Sequence, residues 1–156
     1  MNAENRQAHE FFDGLRKLYG KHLPFNRVLG VTVTSVDAGN GTMIFAARED
    51  LIGNVFHRTL HGGAISAVMD AVGGLTASAS LVNRAVDLCE NEIREMLARV
   101  GTIDLRVDYL RPGKGERFVA NGRIIRSGRK VAVVRMEMHN EEDVLVAVGT
   151  GTYMVG

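Results

Sequence analysis

Two features of the sequence have residue types suited to chemistry: a His61-Gly62-Gly63 tripeptide that opens a long, weakly polar stretch, and Asp70 inside that stretch. The first amides of a helix have no intrahelical acceptor, and glycine sets no side chain over them, so a carbonyl oxygen or an anion can approach closely. The tripeptide is therefore a candidate oxyanion site, although a glycine pair equally suits a loop that packs tightly onto a strand. Asp70 is anomalous in another way. Three and four positions away stand Ser66, Ala67, Gly73 and Gly74, a surface of little bulk and little compensating charge. An unpaired buried carboxylate is costly, and each interior glycine costs a helix about 1 kcal/mol relative to alanine. Either a ligand or a partner chain closes on this surface, or the carboxylate reaches a backbone N–H or an arginine and anchors the fold.

Gly62 and Asp70 are eight residues apart, which is about 12 Å along a helix axis. Groups that act on one bond must come within roughly 3–3.5 Å of the reacting atoms. If both serve one reaction, Asp70 must come from a second copy of the chain. Two antiparallel central helices across a twofold axis would bring the N-terminus of one near Asp70 of the other and create two equivalent sites. The small Gly73-Gly74 surface would assist that approach.

The elements that position these residues read as follows. Residues 4–20 carry Ala8, Phe11, Phe12, Leu15, Leu18 and Tyr19 at helical spacing, with Gly20 as the stop. From Val28 the pattern turns β-rich, with a hairpin turn at Gly39-Asn40-Gly41. Residues 49–60 show neither period and form a long connection of the kind that is functional or mobile. Residues 61–82 read as a helix enclosed on most sides, and residues 83–99 as a more polar, exposed helical extension. Ile103, Leu105, Val107 and Tyr109 then alternate with Thr102, Asp104, Arg106 and Asp108, a half-buried strand whose polar side holds Thr102. Strands over 117–126, 130–139 and 144–155 follow, joined by turns at Ser127-Gly128 and Asn140-Glu141. The sum is an α+β fold, a mostly antiparallel sheet covering one central helix, in one domain over 1–156 with a 1–27 N-terminal helix and lead-in.

Composition excludes several function classes. The 156 residues are 46% hydrophobic and 24% charged, a globular balance. Nineteen basic and 18 acidic residues leave a formal charge of +1, so no broad field attracts nucleic acid or anionic lipid, and neither is expected as a partner. The one cysteine, Cys89, has no internal disulfide partner, and MNAENRQAHEFF lacks a secretory apolar run, which points to the cytoplasm. The stretch from Ala64 to Val82 holds Asp70 and several serines and reads as a buried helix rather than a membrane span. The five histidines and Cys89 show no metal-ligand spacing.

Asn54, Thr59-Leu60-His61-Gly62-Gly63-Ala64, Asp70 and the strand-closing Tyr109-Leu110-Arg111-Pro112 occur in an order that resembles the hotdog-fold acyl-CoA thioesterases, in particular the phenylacetic-acid-degradation branch. Residues 28–155 follow that family's order of hairpin, central helix and strands. The resemblance implies a hotdog fold, an antiparallel sheet wrapped around a long central helix. It implies hydrolysis of an acyl-CoA to free acid and coenzyme A in a homodimer, with a dimer of dimers expected. Asp70 matches the acidic nucleophile or general base, and the Gly62 N–H matches the donor that polarises the thioester carbonyl. Asn54 resembles a loop asparagine near the carbonyl or the attacking water, and Thr102 a hydroxyl residue near the carboxylate. A turn residue and an ordinary β-branched strand residue are the alternatives for these two. His61 and Gly63 fall at the substrate, His61 in a hydrogen-bonding role rather than as a base. No metal or cofactor is implied beyond the coenzyme A of the substrate.

For the nucleotide phosphates, Arg111 and the hairpin residues Arg126, Arg129 and Lys130 are candidates. The extension at 83–99, with Leu60, Ile65, Met69 and Leu81, suggests room for a medium- or long-chain acyl group. Hydration of an enoyl thioester is disfavoured, because the Asp-x-x-x-x-His arrangement of such enzymes is missing: position 75 is Leu75. A noncatalytic acyl-CoA-binding or sensor protein is the remaining alternative.

Overall fold

The computed structural model describes residues 3–156, and side chains from residue 5 onward; Met1 and Asn2 of the 1–27 lead-in lie outside the described residues. The apolar spacing of the leading segment produces helix α1 (Ala3–Lys17), which buries Phe11 and Leu15. It does not stop at Gly20 but passes into a π-helical turn over Leu18–His22. Pro24, at a helix start where its missing N–H costs nothing, then opens α2 (Pro24–Leu29), and Gly30 closes it in the left-handed conformation at φ 72°. The chain from Val28 therefore does not begin a strand: β1 (Thr32–Val36) starts beyond this short helix. The hairpin to β2 (Asn40–Ala46) also turns earlier than expected. Asp37 Oδ1 accepts the N–H groups of Gly39 (2.8 Å) and Asn40 (2.9 Å), so its carboxylate makes the turn and Asn40 and Gly41 already pair in β2.

Residues 49–60 are ordered as a 3-10 turn (Glu49–Leu51) and a small hairpin of β3 (Ile52–Asn54) and β4 (Thr59–Leu60). Helix α3 (Gly62–Ala79) follows, and then two short helices, α4 (Val82–Ala85) and α5 (Glu90–Ala98), where one extension was expected. The remaining strands are β5 (Gly101–Tyr109), β6 (Arg117–Ser127), β7 (Val131–Asn140) and β8 (Leu145–Met154). Six strands make one antiparallel sheet in the order β1-β2-β6-β7-β8-β5. The sheet curls around α3, the hotdog arrangement. Its inner face presents Met43, Phe45, Phe118, Val134, Met136, Met138 and Tyr153 to the helix, with Phe45 and Phe118 stacked at 5.4 Å. From Val72 to Ala79 every residue of α3 is buried, so this half of the helix has no polar face to solvent.

Two helical glycines have opposite surroundings. A Cβ at Gly73 would lie 1.9 Å from the Tyr153 hydroxyl oxygen and 2.6 Å from Met136 Sδ, whereas a Cβ at Gly14 meets nothing within 4 Å. Gly73→Ala should therefore lower stability by about 2–3 kcal/mol through overpacking. Gly14→Ala should raise it by about 0.5–1 kcal/mol. Urea denaturation midpoints moving in opposite directions check both; a neutral Gly73→Ala would contradict this packing.

Candidate active site

The start of α3 is held on three sides. His61 N–H donates to Leu51 O (2.8 Å), Leu60 N–H to Gly113 O (2.9 Å), and the Tyr109 hydroxyl to Gly62 O (2.9 Å). His61 is the N-cap, in extended conformation (φ −64°, ψ 137°), and its Nδ1 accepts the Gly63 N–H at 2.8 Å. As an acceptor, Nδ1 carries no proton, which leaves the neutral ring protonated at Nε2. His61 O takes the N–H groups of Ala64 (3.0 Å) and Ile65 (3.2 Å). Of the four leading amides, only that of Gly62 has no acceptor among the described residues. The helix dipole adds positive potential at this free N–H.

Asp70, half-buried at mid-helix, is met by hydroxyls rather than by the backbone N–H or arginine that an anchoring carboxylate would suggest. Thr102 Oγ1 donates to Asp70 Oδ1 at 2.9 Å, and the Tyr153 hydroxyl approaches the same oxygen at 3.2 Å. Thr102 reaches it because β5 is bulged. Thr102 pairs with Tyr153 and Asp104 with Thr152, so Ile103 is an extra residue and the alternation changes face there. The expected pattern is corrected at this point: Thr102 faces the helix, and Ile103 is 58% exposed. The Gly73-Gly74 surface is likewise occupied from within the chain. Gly73 faces Tyr153, and a Cβ at Gly74 would lie 3.4 Å from the Tyr19 hydroxyl oxygen, which bonds Ser78 Oγ at 2.9 Å. Burial, the Asp70 charge and the hydrogen bond to it push the Tyr153 phenol far above its ordinary range. Tyr19 is also raised, chiefly by burial, against a lowering hydrogen bond from Ser78.

The other predicted residues are dispersed. Asn54 Oδ1 accepts from Phe56 N–H (3.0 Å) and His57 N–H (3.1 Å), which organises the β3–β4 turn. Arg111 lies near the Gly62 end of α3 and donates to Leu145 O (3.0 Å). The hairpin of Arg126, Arg129 and Lys130 sits at the opposite end, where Ser127 Oγ meets Ser80 Oγ at 3.0 Å and Arg84 binds Arg129 O and Gly128 O. The 18 residues of α3 separate the two groups by about 27 Å, so one protomer does not bring them together. Leu60, Ile65, Met69 and Leu81 are buried, none above 6% exposed, and the first two border an open cleft of about 350 Å³ beside Gly62. No group of three or more His, Cys, Asp or Glu among the described residues is placed to hold a metal ion, and none of their helices is long and apolar enough to cross a membrane. Sequence reasoning missed Tyr153. Its signal is the inward-facing series Gly149, Gly151, Tyr153, two positions without side chains beside a large ring.

A family model described as the thioesterase superfamily matches residues 57–147. The chain is 44% identical over 140 residues to the medium/long-chain acyl-CoA thioesterase YigI of Escherichia coli K12, covering 90% of each. It is similar to a solved structure from Shewanella oneidensis described as related to the thioesterase superfamily, with a TM-score of 0.90 and 43% identity over 96% of this chain and 97% of that one. A solved structure from Syntrophus aciditrophicus has a TM-score of 0.85 and 34% identity, covering 97% and 99%.

The cap at His61 gives a stability prediction. His61→Ala leaves the Gly63 N–H without its acceptor and should cost about 1 kcal/mol, whereas His61→Asn, with a preferred capping side chain, should restore most of that. Thermal denaturation of the two variants checks it.

Proposed function

Given that the chain belongs to the thioesterase superfamily, we propose that it hydrolyses acyl-CoA thioesters, acting as a cytoplasmic homodimer in which Asp70 of one copy and Gly62 of the other share a site. The observation that carries this reading is a carboxylate and an unpartnered helix-start amide on one helix, too far apart along it to serve the same bond. In the proposed reaction the Asp70 carboxylate attacks the thioester carbonyl carbon, or takes a proton from a water that does. Charge passes to the carbonyl oxygen, which accepts the Gly62 N–H, and the C–S bond then breaks. In the water route the proton held by Asp70 passes to the departing coenzyme A thiolate. In the direct route the thiolate is protonated by solvent and a water then hydrolyses the Asp70–acyl anhydride, freeing the acid and the carboxylate. Coenzyme A enters only as part of the substrate.

Support for the second copy comes from the edge strand β5 and its surroundings. Ile103, Tyr109 and Leu110 are exposed there, and Val55 and Phe56 are exposed on the β3–β4 hairpin, an apolar surface of the kind that interfaces cover. A dimer of dimers extends the same proposal. Thr102 is assigned to hold Asp70, Asn54 to shape the loop beside the substrate, and His61 and Gly63 to set the geometry of the Gly62 amide. Arg111 is assigned to the coenzyme A side, with Arg126, Arg129 and Lys130 in reach only from another copy. The medium- or long-chain preference rests on the 44% identical relative.

Thiol release from an acyl-CoA panel tests the reaction. Turnover should be highest on medium or long chains, and Asp70→Asn should lower it at least about a hundredfold. Binding without turnover at every chain length would instead favour a noncatalytic sensor. Gly62→Pro replaces the free N–H by a ring carbon and keeps the helix start: proline suits the first helical position, a Cβ there meets Tyr109 at an ordinary 3.5 Å, and His61 already has the extended backbone that a following proline requires. It should cost about a hundred- to a thousandfold in kcat. Mixing Asp70→Asn with Gly62→Pro subunits should then recover about one quarter of wild-type activity, since each mixed dimer keeps one intact site. No recovery after verified subunit exchange would rule out the shared site.

A further inference from the structure

Resting on the thioesterase reading above, we propose that Tyr153 is a positioning residue that, with Thr102, anchors Asp70 through Oδ1 and so makes Oδ2 the reacting oxygen. Both hydroxyls converge on Oδ1, at 2.9 Å from Thr102 and 3.2 Å from Tyr153, and Oδ2 accepts no hydrogen bond among the described residues. A carboxylate with two donors on one oxygen is held against rotation and has reduced electron density there, while the other oxygen keeps its lone pairs for a carbonyl carbon or a water proton.

The two donors act as one unit. Thr102 and Tyr153 are directly paired across β5 and β8, so their hydroxyls approach the helix from the same face of the sheet, and the bulge at Ile103 is what turns Thr102 onto that face. The space for the ring is shaped around it. A Cβ at Gly73, one turn after Asp70, would fall 1.9 Å from the phenol oxygen, and a Cβ at Gly151 would fall 2.6 Å from the ring. Two glycines, one in the helix and one in the strand, are thus given over to a single side chain.

The other acceptors near the phenol are weaker. They are the Asp70 carbonyl oxygen at 3.3 Å and Met136 Sδ at 3.8 Å, and an ionised carboxylate outcompetes both. With its proton held by burial and by the adjacent charge, the phenol stays a donor throughout the working pH range. Tyr153 does not touch the substrate in this assignment; it acts through Asp70.

Steady-state kinetics of Tyr153→Phe on the best acyl-CoA of the panel tests the proposal, because phenylalanine keeps the ring and removes only the hydroxyl. The expected result is a kcat lowered about ten- to a hundredfold with KM unchanged, the range for losing one hydrogen bond to a charged group. Thr102→Val should show the same split, and Thr102→Ser, which restores a hydroxyl, should recover most of kcat. Thr102→Val and Thr102→Ser carry the measurement alone if Tyr153→Phe does not fold. An active wild type with unaltered kcat in Tyr153→Phe overturns the proposal alone, as does a rise in KM with kcat maintained. A wild type inactive on every thioester overturns the thioesterase reading and this proposal with it.

Discussion

A carboxylate placed between a helix and the inner face of a sheet must find hydrogen-bond donors there, and the surroundings of Asp70 are organised by that need. No cation pairs with it among the described residues. Instead two strands deliver one hydroxyl each, from Thr102 and Tyr153. Neutral donors satisfy an anion without cancelling its charge, whereas a salt bridge would hold it and, in the proposed reaction, also compete with the carbon or proton that Asp70 attacks. The glycine at position 73, unfavourable for a helix on propensity alone, is explained by the same need, because any side chain there would exclude the phenol.

The other end of the site follows a complementary principle. At Asp70 donors are brought to a charge; at the start of α3 acceptors are supplied to every leading amide but one. The His61 ring and carbonyl satisfy Gly63, Ala64 and Ile65, and the hairpin and Tyr109 hold the backbone around Gly62 in place. A donor fixed by its neighbours needs no reorganisation when charge develops opposite it, which is the main advantage of backbone amides in such a role.

Asp70 and Gly62 stood out in the sequence as candidates because each is out of keeping with its neighbours: a charge in an apolar helix, and a bare backbone at a helix start. The sheet and the central helix were legible from alternation and helical spacing over long segments. Thr102 was found as a residue but placed on the wrong face, since alternation assumes an unbroken ladder and the extra residue at Ile103 is a property of the pairing with β8. Tyr153 was missed, because its series with Gly149 and Gly151 marks a large inward ring but not what the ring meets. It reads as one inward residue among several, and its partner lies 83 positions earlier in the chain. Composition showed the arginines as charges but not that Arg111 and the 126–130 hairpin would stand at opposite ends of α3, which only the course of the strands decides.

The extra residue in β5 also puts the two halves of that strand out of phase. In a strand of constant phase, the side chain that meets Asp70 and those along the rest of the edge would share one alternating pattern, and any shift in register would carry all of them to the other face together. With the phase broken at Ile103, the stretch from Asp104 to Tyr109 can diverge in charge and in what it packs against while Thr102 keeps its place. The hydroxyl beside Asp70 is thereby set by a different phase of the strand from the one that governs its outer edge.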